Sequence, residues 1–276
     1  MAFYEYIESI KMVENHLKHL NSLEEEKAKA LLSSFKKARQ ELRDRLDTLP
    51  SGTFSAQQLR GVMLQIDLLI QHIEQKLTDD LGDSAEEVSK TAISDLEKEL
   101  LKFQEEFEGA VVPINLDAVL IAMETKDRLI NRYESSIKSY SAGLRQQIAI
   151  GLLDAVAQEK SSAQIVMDLG KFFTGEEWRL RRIARTELHH VYNMSKTRGM
   201  VEAKKTAIPD LKRALFHPMD SRTGKDSIEA ASQHLIADLD KPFRYEWKGE
   251  ERIFFAPPDR PNDRAIIVPY REQWDK

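Results

Sequence analysis

Apolar side chains recur in steps of three and four along the first half of the chain. Ile10, Val13, Leu17 and Leu20, then Leu31, Phe35, Ala38 and Leu42, form a narrow stripe between charged faces and predict one long helix over residues 3–48. Glu24-Glu25-Glu26 interrupts the stripe, so the pattern is not that of a continuous coiled coil. Pro50-Ser51-Gly52 ends the element. A second helix is expected over 55–80, through Leu59, Val62, Ile66, Leu69, Ile73 and Leu77, with Gly82 closing it. Ser84 with Glu87 three residues on has the form of a capping box and opens a third helix carrying Val88, Leu96, Leu100, Phe103 and Phe107. After Val111-Val112-Pro113 the helical pattern resumes near Asn115 and runs to about 205. Gly151, Ser161-Ser162 and Thr174-Gly175 are its expected joints.

The character changes after Pro209. FRYEW (243–247) and RIFFA (252–256) flank Lys248-Gly249-Glu250 and predict a hairpin, and AIIVPY (265–270) is a candidate third strand. The fold class expected is mainly α. A long helical N-terminal arm or bundle, 1–135, precedes a small α+β C-terminal domain, 136–276, with a short antiparallel sheet.

Composition narrows the classes of function. Charged residues make up 32% and apolar residues 41%, enough to bury a core, and no apolar run approaches the ~20 residues that span a bilayer. No membrane association is expected. The acidic first residues, with no apolar run behind them, do not resemble a signal peptide. Cysteine is absent, which excludes disulfides, thiolate metal sites and a Cys nucleophile. The net charge of −5 conceals an asymmetry: residues 1–150 carry −7 and residues 151–276 carry +2. Within the second part, 178–225 holds 12 basic residues and four acidic ones. A field of that sign attracts phosphate or an acidic protein surface. The basic residues considered for such a contact are Arg179, Arg181, Arg182, Lys204, Lys205, Lys212 and Arg213, joined by Arg260 and Arg271 from the tail.

Two segments have the composition of a site. In IARTELHHVYN (183–193), Glu187 and His190 share a helix face, but a helical metal site needs a second such pair and none lies nearby. No metal is expected there. In FHPMDSRTGKDS (216–227), Asp220 ahead of Ser, Arg, Thr and Gly is turn chemistry. Arg222 in that turn can grip a carboxylate in two-pronged fashion, with Glu187 as the expected partner, or Arg185 can take the same role. The alternative is an active site around Glu187 and Asp220, with His217 and Asp226 as acid, base or ligand. No phosphate loop, nucleophile elbow or zinc spacing accompanies it.

The order of these segments carries a resemblance. An A-R-T-E helix (Ala184, Arg185, Thr186, Glu187) ending near Asn193 is followed by a D-x-R-T turn (Asp220, Arg222, Thr223). An F-rich hairpin and a P-P-x-x-P-N-x-R tail (Pro257, Pro258, Pro261, Asn262, Arg264) come next. Over roughly residues 140–271 the chain resembles the C-terminal domain of phage head-morphogenesis proteins, the minor capsid proteins of Mu-like and other tailed phages. Relatives often carry a His or Cys where this chain has Ser227. They often carry Cys on both sides of the tail Arg, where it has Asp263 and Ala265. The resemblance therefore implies no cofactor and no metal here, and a structural use of Arg185, Thr186, Glu187, Asp220, Arg222, Thr223, Asn262 and Arg264. It implies a non-enzymatic virion protein, present in several copies in the capsid interior or at the portal vertex and in the host cytoplasm during assembly. Its partners would be the portal or major capsid protein and, nonspecifically, packaged DNA. Its task would be head assembly and DNA packaging, retention or ejection. The competing class is a scaffold that acts through its helical arm.

Overall fold

A computed structural model describes residues 7–47, 56–158, 160, 162–218, 223–260 and 263–275. Four long helices come first: α1 (Ile7–Asp47), α2 (Ala56–Glu108), α3 (Ala118–Ala157) and α4 (Ser162–Thr206). Then follow β1 (Lys212–Phe216), α5 (Lys225–Ser232), β2 (Ile236–Ala237), β3 (Phe243–Trp247), β4 (Glu250–Phe254) and β5 (Ile266–Tyr270), with a 3-10 turn at Glu272–Asp275. The protein is mainly α with a small α+β C-terminal part. No helix among the described residues is long and apolar enough to cross a membrane.

The expected helix break at Gly82 does not form, and Ser84 is not a cap: α2 runs unbroken through both. A glycine inside a helix costs about 1 kcal/mol relative to alanine. Leu81, Ala85 and Val88 are all buried, and one such leucine gains about 2–3 kcal/mol from burial, so packing outweighs the local preference. Gly151 and Thr174-Gly175 likewise lie inside helices, whereas α4 does begin at Ser162, beside the expected serine joint.

The contacts divide the chain into two compact units that are discontinuous in sequence. One comprises Met1–Glu24, Ser84–Leu129 and Arg185–Lys276; the other comprises Glu25–Asp83 and Ile130–Ala184. This differs from a cut at 135/136, because each long helix gives one part to each unit. The second unit is all helical. Phe35 meets Tyr140 edge-on at 6.0 Å in a core with Ile70, Leu77 and Leu144, and Arg145 reaches Glu74 at 3.5 Å.

The first unit holds the sheets. The hairpin forms as expected: β3 pairs antiparallel with β4 through Lys248-Gly249, both at positive φ (54° and 78°), the geometry that two-residue hairpin turns favour. The third strand, β5, does not join it. It pairs antiparallel with β1, which also pairs with β2, giving the order β2-β1-β5. Pro269, which has no N–H to donate, sits in β5 at the edge of this sheet. All five residues of β5 are buried.

Candidate functional site

The first unit is held by a polar seam that crosses its helices. Residues three, four and seven apart on α4 fall on one face, and His189, Tyr192, Asn193 and Lys196 present such a face. Lys196, fully buried, donates to both oxygens of the equally buried Glu99 of α2, at 2.7 and 2.6 Å. His16 of α1 lies 2.9 Å from the same carboxylate and 3.5 Å from Asp95. Tyr192 donates its hydroxyl to Asp95 at 2.9 Å. Burial, followed by the charges of Glu99 and Asp95, raises the Tyr192 pKa well above its ordinary value, so the ring stays a neutral donor. Ser89 and Ser195 join hydroxyls at 2.7 Å. Two carboxylates thus meet a lysine and a histidine. Removing one member of such a buried pair costs on the order of 3–5 kcal/mol because the other stays charged and unpaired.

The same helix face grips the start of β5. Asn193 donates to the carbonyl of Ala265 at 3.3 Å and accepts from the amide of Ile267 at 2.7 Å, reading both sides of one stretch of backbone. His189 lies 2.8 Å from Glu24 through Nδ1 and 2.7 Å from the Ala265 carbonyl through Nε2. Both neighbours offer oxygen atoms, an arrangement that favours the doubly protonated ring. Burial alone would lower its pKa, but the Glu24 carboxylate, its hydrogen bond and the Ala265 carbonyl prevail and raise it.

Beside this contact lies a cleft of about 370 Å³ lined by Asn21, Glu24, Arg185, Thr186, His189, Asp263 and Arg264. Of the residues singled out in the sequence, Arg185, Thr186 and Arg264 therefore meet here. Glu187 is buried. Thr223 donates its hydroxyl to the Pro218 carbonyl. Asp220, Arg222 and Asn262 lie outside the described residues, and the expected clasp between Arg222 and Glu187 lies there with them. Among the described residues no group of three or more His, Asp or Glu side chains is arranged so that it could hold a metal ion.

The basic residues separate into different roles. Arg213, expected at the surface, is fully buried, and this corrects its assignment as a contact for phosphate or an acidic partner. Its guanidinium lies between the rings of Phe243 and Phe255, at 4.7 and 4.1 Å, and donates to the carbonyls of Phe255 and Lys241 at 2.7 and 2.5 Å. Burial lowers its pKa to about 10, with Asp240 opposing. An arginine near the start of a strand reads as a surface charge in sequence; the aromatics that shelter it, Phe243 and Phe255, come from 30 and 42 residues away.

Arg260 is a hub. It pairs with Asp226 at 2.8 Å and Asp259 at 2.7 Å and donates to Ser227 at 2.7 Å, while Tyr245 donates to Asp259 at 3.0 Å. Asp226, considered as an acid or base, is thus held by an arginine. His217, considered with it, is buried, and desolvation followed by the nearby Arg260 charge lowers its pKa to about 4. Arg271 pairs with Glu108 and, at 2.7 Å, with Asp210. Lys212 pairs with Glu272 at 2.7 Å, Lys205 with Glu202 at 3.1 Å, and Lys204 donates to the Leu211 carbonyl at 3.3 Å. In the other unit Arg181 pairs with Glu25 at 2.9 Å, Arg179 lies over Tyr140, and Arg182 lies 4.4 Å over Trp178.

The seam was the part of this site that sequence reading missed. Its signal is present as His189 and Asn193 one turn apart and as Asp95 and Glu99 one turn apart on an otherwise apolar face, but nothing local says which helices face each other. No family model, curated protein or solved structure matches the chain.

Proposed function

We propose that the chain is a phage minor capsid protein of the head-morphogenesis type, acting at the portal or inner capsid surface rather than as an enzyme. One observation supports this reading: two of the four segments that carry the resemblance, the A-R-T-E helix and the tail, belong to one contact. His189 and Asn193, following Ala184-Arg185-Thr186-Glu187, hold the backbone that follows Asn262-Asp263-Arg264. The polar residues involved bind backbone and one another. That is how a domain is held together, and it favours an assembly role over catalysis around Glu187 and Asp220.

The partners in this reading are the portal and major capsid proteins, with the protein retained in several copies. Contact with packaged DNA, if made, is nonspecific and draws on a basic set whose members mostly face carboxylates within the chain. It is therefore weak and salt-sensitive. Protein gels and mass spectrometry of purified mature virions test the proposal. Retention at a few copies per particle is expected. Presence in immature heads and absence from mature ones would replace it with the scaffold reading, and absence from both would remove it.

A further inference from the structure

We propose that an apolar patch at the turn between α2 and α3 is the surface on which a second copy of this chain docks. Gly109, at positive φ (66°), ends α2, and no charge falls between Glu108 and Asp117. Two side chains of α2 hold this uncharged stretch in place. Gln104 accepts from the Val112 N–H at 2.8 Å, and Glu97 accepts from the Leu116 N–H at 3.1 Å. Glu97, Leu101 and Gln104 share one face of α2, so Leu101 lies beside the tethered stretch. Asp117 then caps α3, accepting from the Leu120 N–H at 2.9 Å. The first residues of α3, Ala118–Met123, are apolar without exception. A helix that is apolar all round belongs in a core. Within this chain only one side of it is covered. Ile121 and Ala122 are buried, whereas Val119, Leu120 and Met123 are 56, 51 and 56% exposed.

Leu101, Val111 and Val112 are exposed as well. Together the six side chains leave on the order of 500 Å² of apolar surface in water, near the top of the range for the largest patch on a monomer. A dimer interface of ordinary size takes about 800 Å² from each partner, about 65% of it apolar when the chains are identical. The patch therefore supplies from one chain the apolar centre that such an interface needs. The charges around it also fit a second copy. Exposed Lys98 and Arg128 stand against Glu105, Asp117 and Asp127, a near balance. A rim of one sign would repel its own copy and select a partner of the other sign. A mixed rim lets the cations of one copy face the acids of the other. Identical patches meeting face to face close into a pair about a two-fold axis. The pairing does not depend on the proposed capsid role.

The test uses the full chain. Analytical ultracentrifugation over a wide range of concentration is expected to show a reversible equilibrium between monomer and dimer. Leu120→Glu and Met123→Glu, at exposed positions, bring like charges together across the pair. Each is expected to weaken it at least tenfold and to leave the circular dichroism spectrum unchanged. Ile253→Glu, at an exposed position on β4 outside the patch, leaves the dimer as it was. The chain has no cysteine, so Val119→Cys carries a single spin label, and dipolar broadening between copies is expected wherever the dimer forms. A chain that stays monomeric at every concentration overturns the proposal, whatever other protein the patch binds. So does a dimer that persists in folded Leu120→Glu and Met123→Glu, or one that Ile253→Glu weakens as much. A dimer without broadening at the Val119→Cys label overturns it as well, whether or not the glutamate variants fold.

Discussion

Two histidines in the same unit respond to pH in opposite senses. His189 has its pKa raised above the ordinary 6.5 by Glu24 and the Ala265 carbonyl, against burial. Its contribution to stability is full below about pH 6.5, where the unfolded chain is protonated as well, and fades as pH rises through the folded-state value. His217 has its pKa lowered to about 4, mainly by burial. The neutral ring is favoured in the fold, so its contribution is full above about pH 6.5 and is lost as pH falls toward 4, at about 1.4 kcal/mol per unit and up to about 3 kcal/mol in all. Denaturation midpoints measured across pH should therefore decline on both sides of neutrality. His189→Gln is expected to remove part of the alkaline decline and His217→Leu part of the acid one. Curves that stay parallel to that of the unmodified chain at every pH would contradict both assignments. Nitrogen NMR gives a direct check, since the doubly protonated form of His189 should persist to higher pH than that of an ordinary imidazole.

Glycines within the helices separate local preference from packing. Gly61 lies in α2 with nothing within 4 Å of where a Cβ would stand, so Gly61→Ala removes backbone freedom from the unfolded chain at no steric cost and should stabilise by about 0.5–1 kcal/mol. Gly199 lies in α4 against α2, where a Cβ would come within 2.6 Å of Leu96 and 2.9 Å of Ile93, both fully buried. Gly199→Ala should destabilise by about 1–3 kcal/mol. Thermal melts of the two variants should move in opposite directions, and a shared direction would mean that the close approach of α4 to α2 is wrong. The same contrast explains what was legible in the sequence. Helix period and turn chemistry are local, so α1, the break before α4 and the hairpin at Lys248-Gly249 could be read from adjacent residues. The run through Gly82, the pairing of β5 with β1 and the shelter around Arg213 depend on residues far along the chain. The cleft was half legible: Arg185, Thr186 and Arg264 could be named, but their meeting with Asn21 and Glu24 of α1 left no trace in spacing.

At the scale of the molecule, the segments that form each unit are far apart in sequence. A fragment spanning 136–276 contains Lys196, Tyr192 and His189 but lacks Glu99, Asp95 and Glu24, the carboxylates that meet them. It also lacks Glu108, which accepts from the Trp274 indole at 2.7 Å and pairs with Arg271. Such a fragment should fail to fold alone, lacking a near-ultraviolet circular dichroism signal and cooperative melting, while the full chain has both. Cooperative melting of the fragment would mean that the buried pairs contribute little to the native state.

Translation order gives the His189–Glu24 contact a consequence in time. Glu24 precedes its partner by 165 residues, a wait of about 8–30 s at ~5–20 residues per second. Asp95 and Glu99 wait in the same way for Tyr192 and Lys196. Until those residues leave the ribosome, the growing chain carries carboxylates that water must solvate and that cannot be buried. Premature closure of the first unit's N-terminal segments on themselves is thereby disfavoured, and the tension that this unit exerts on a stalled nascent chain should appear only once Lys196 has emerged.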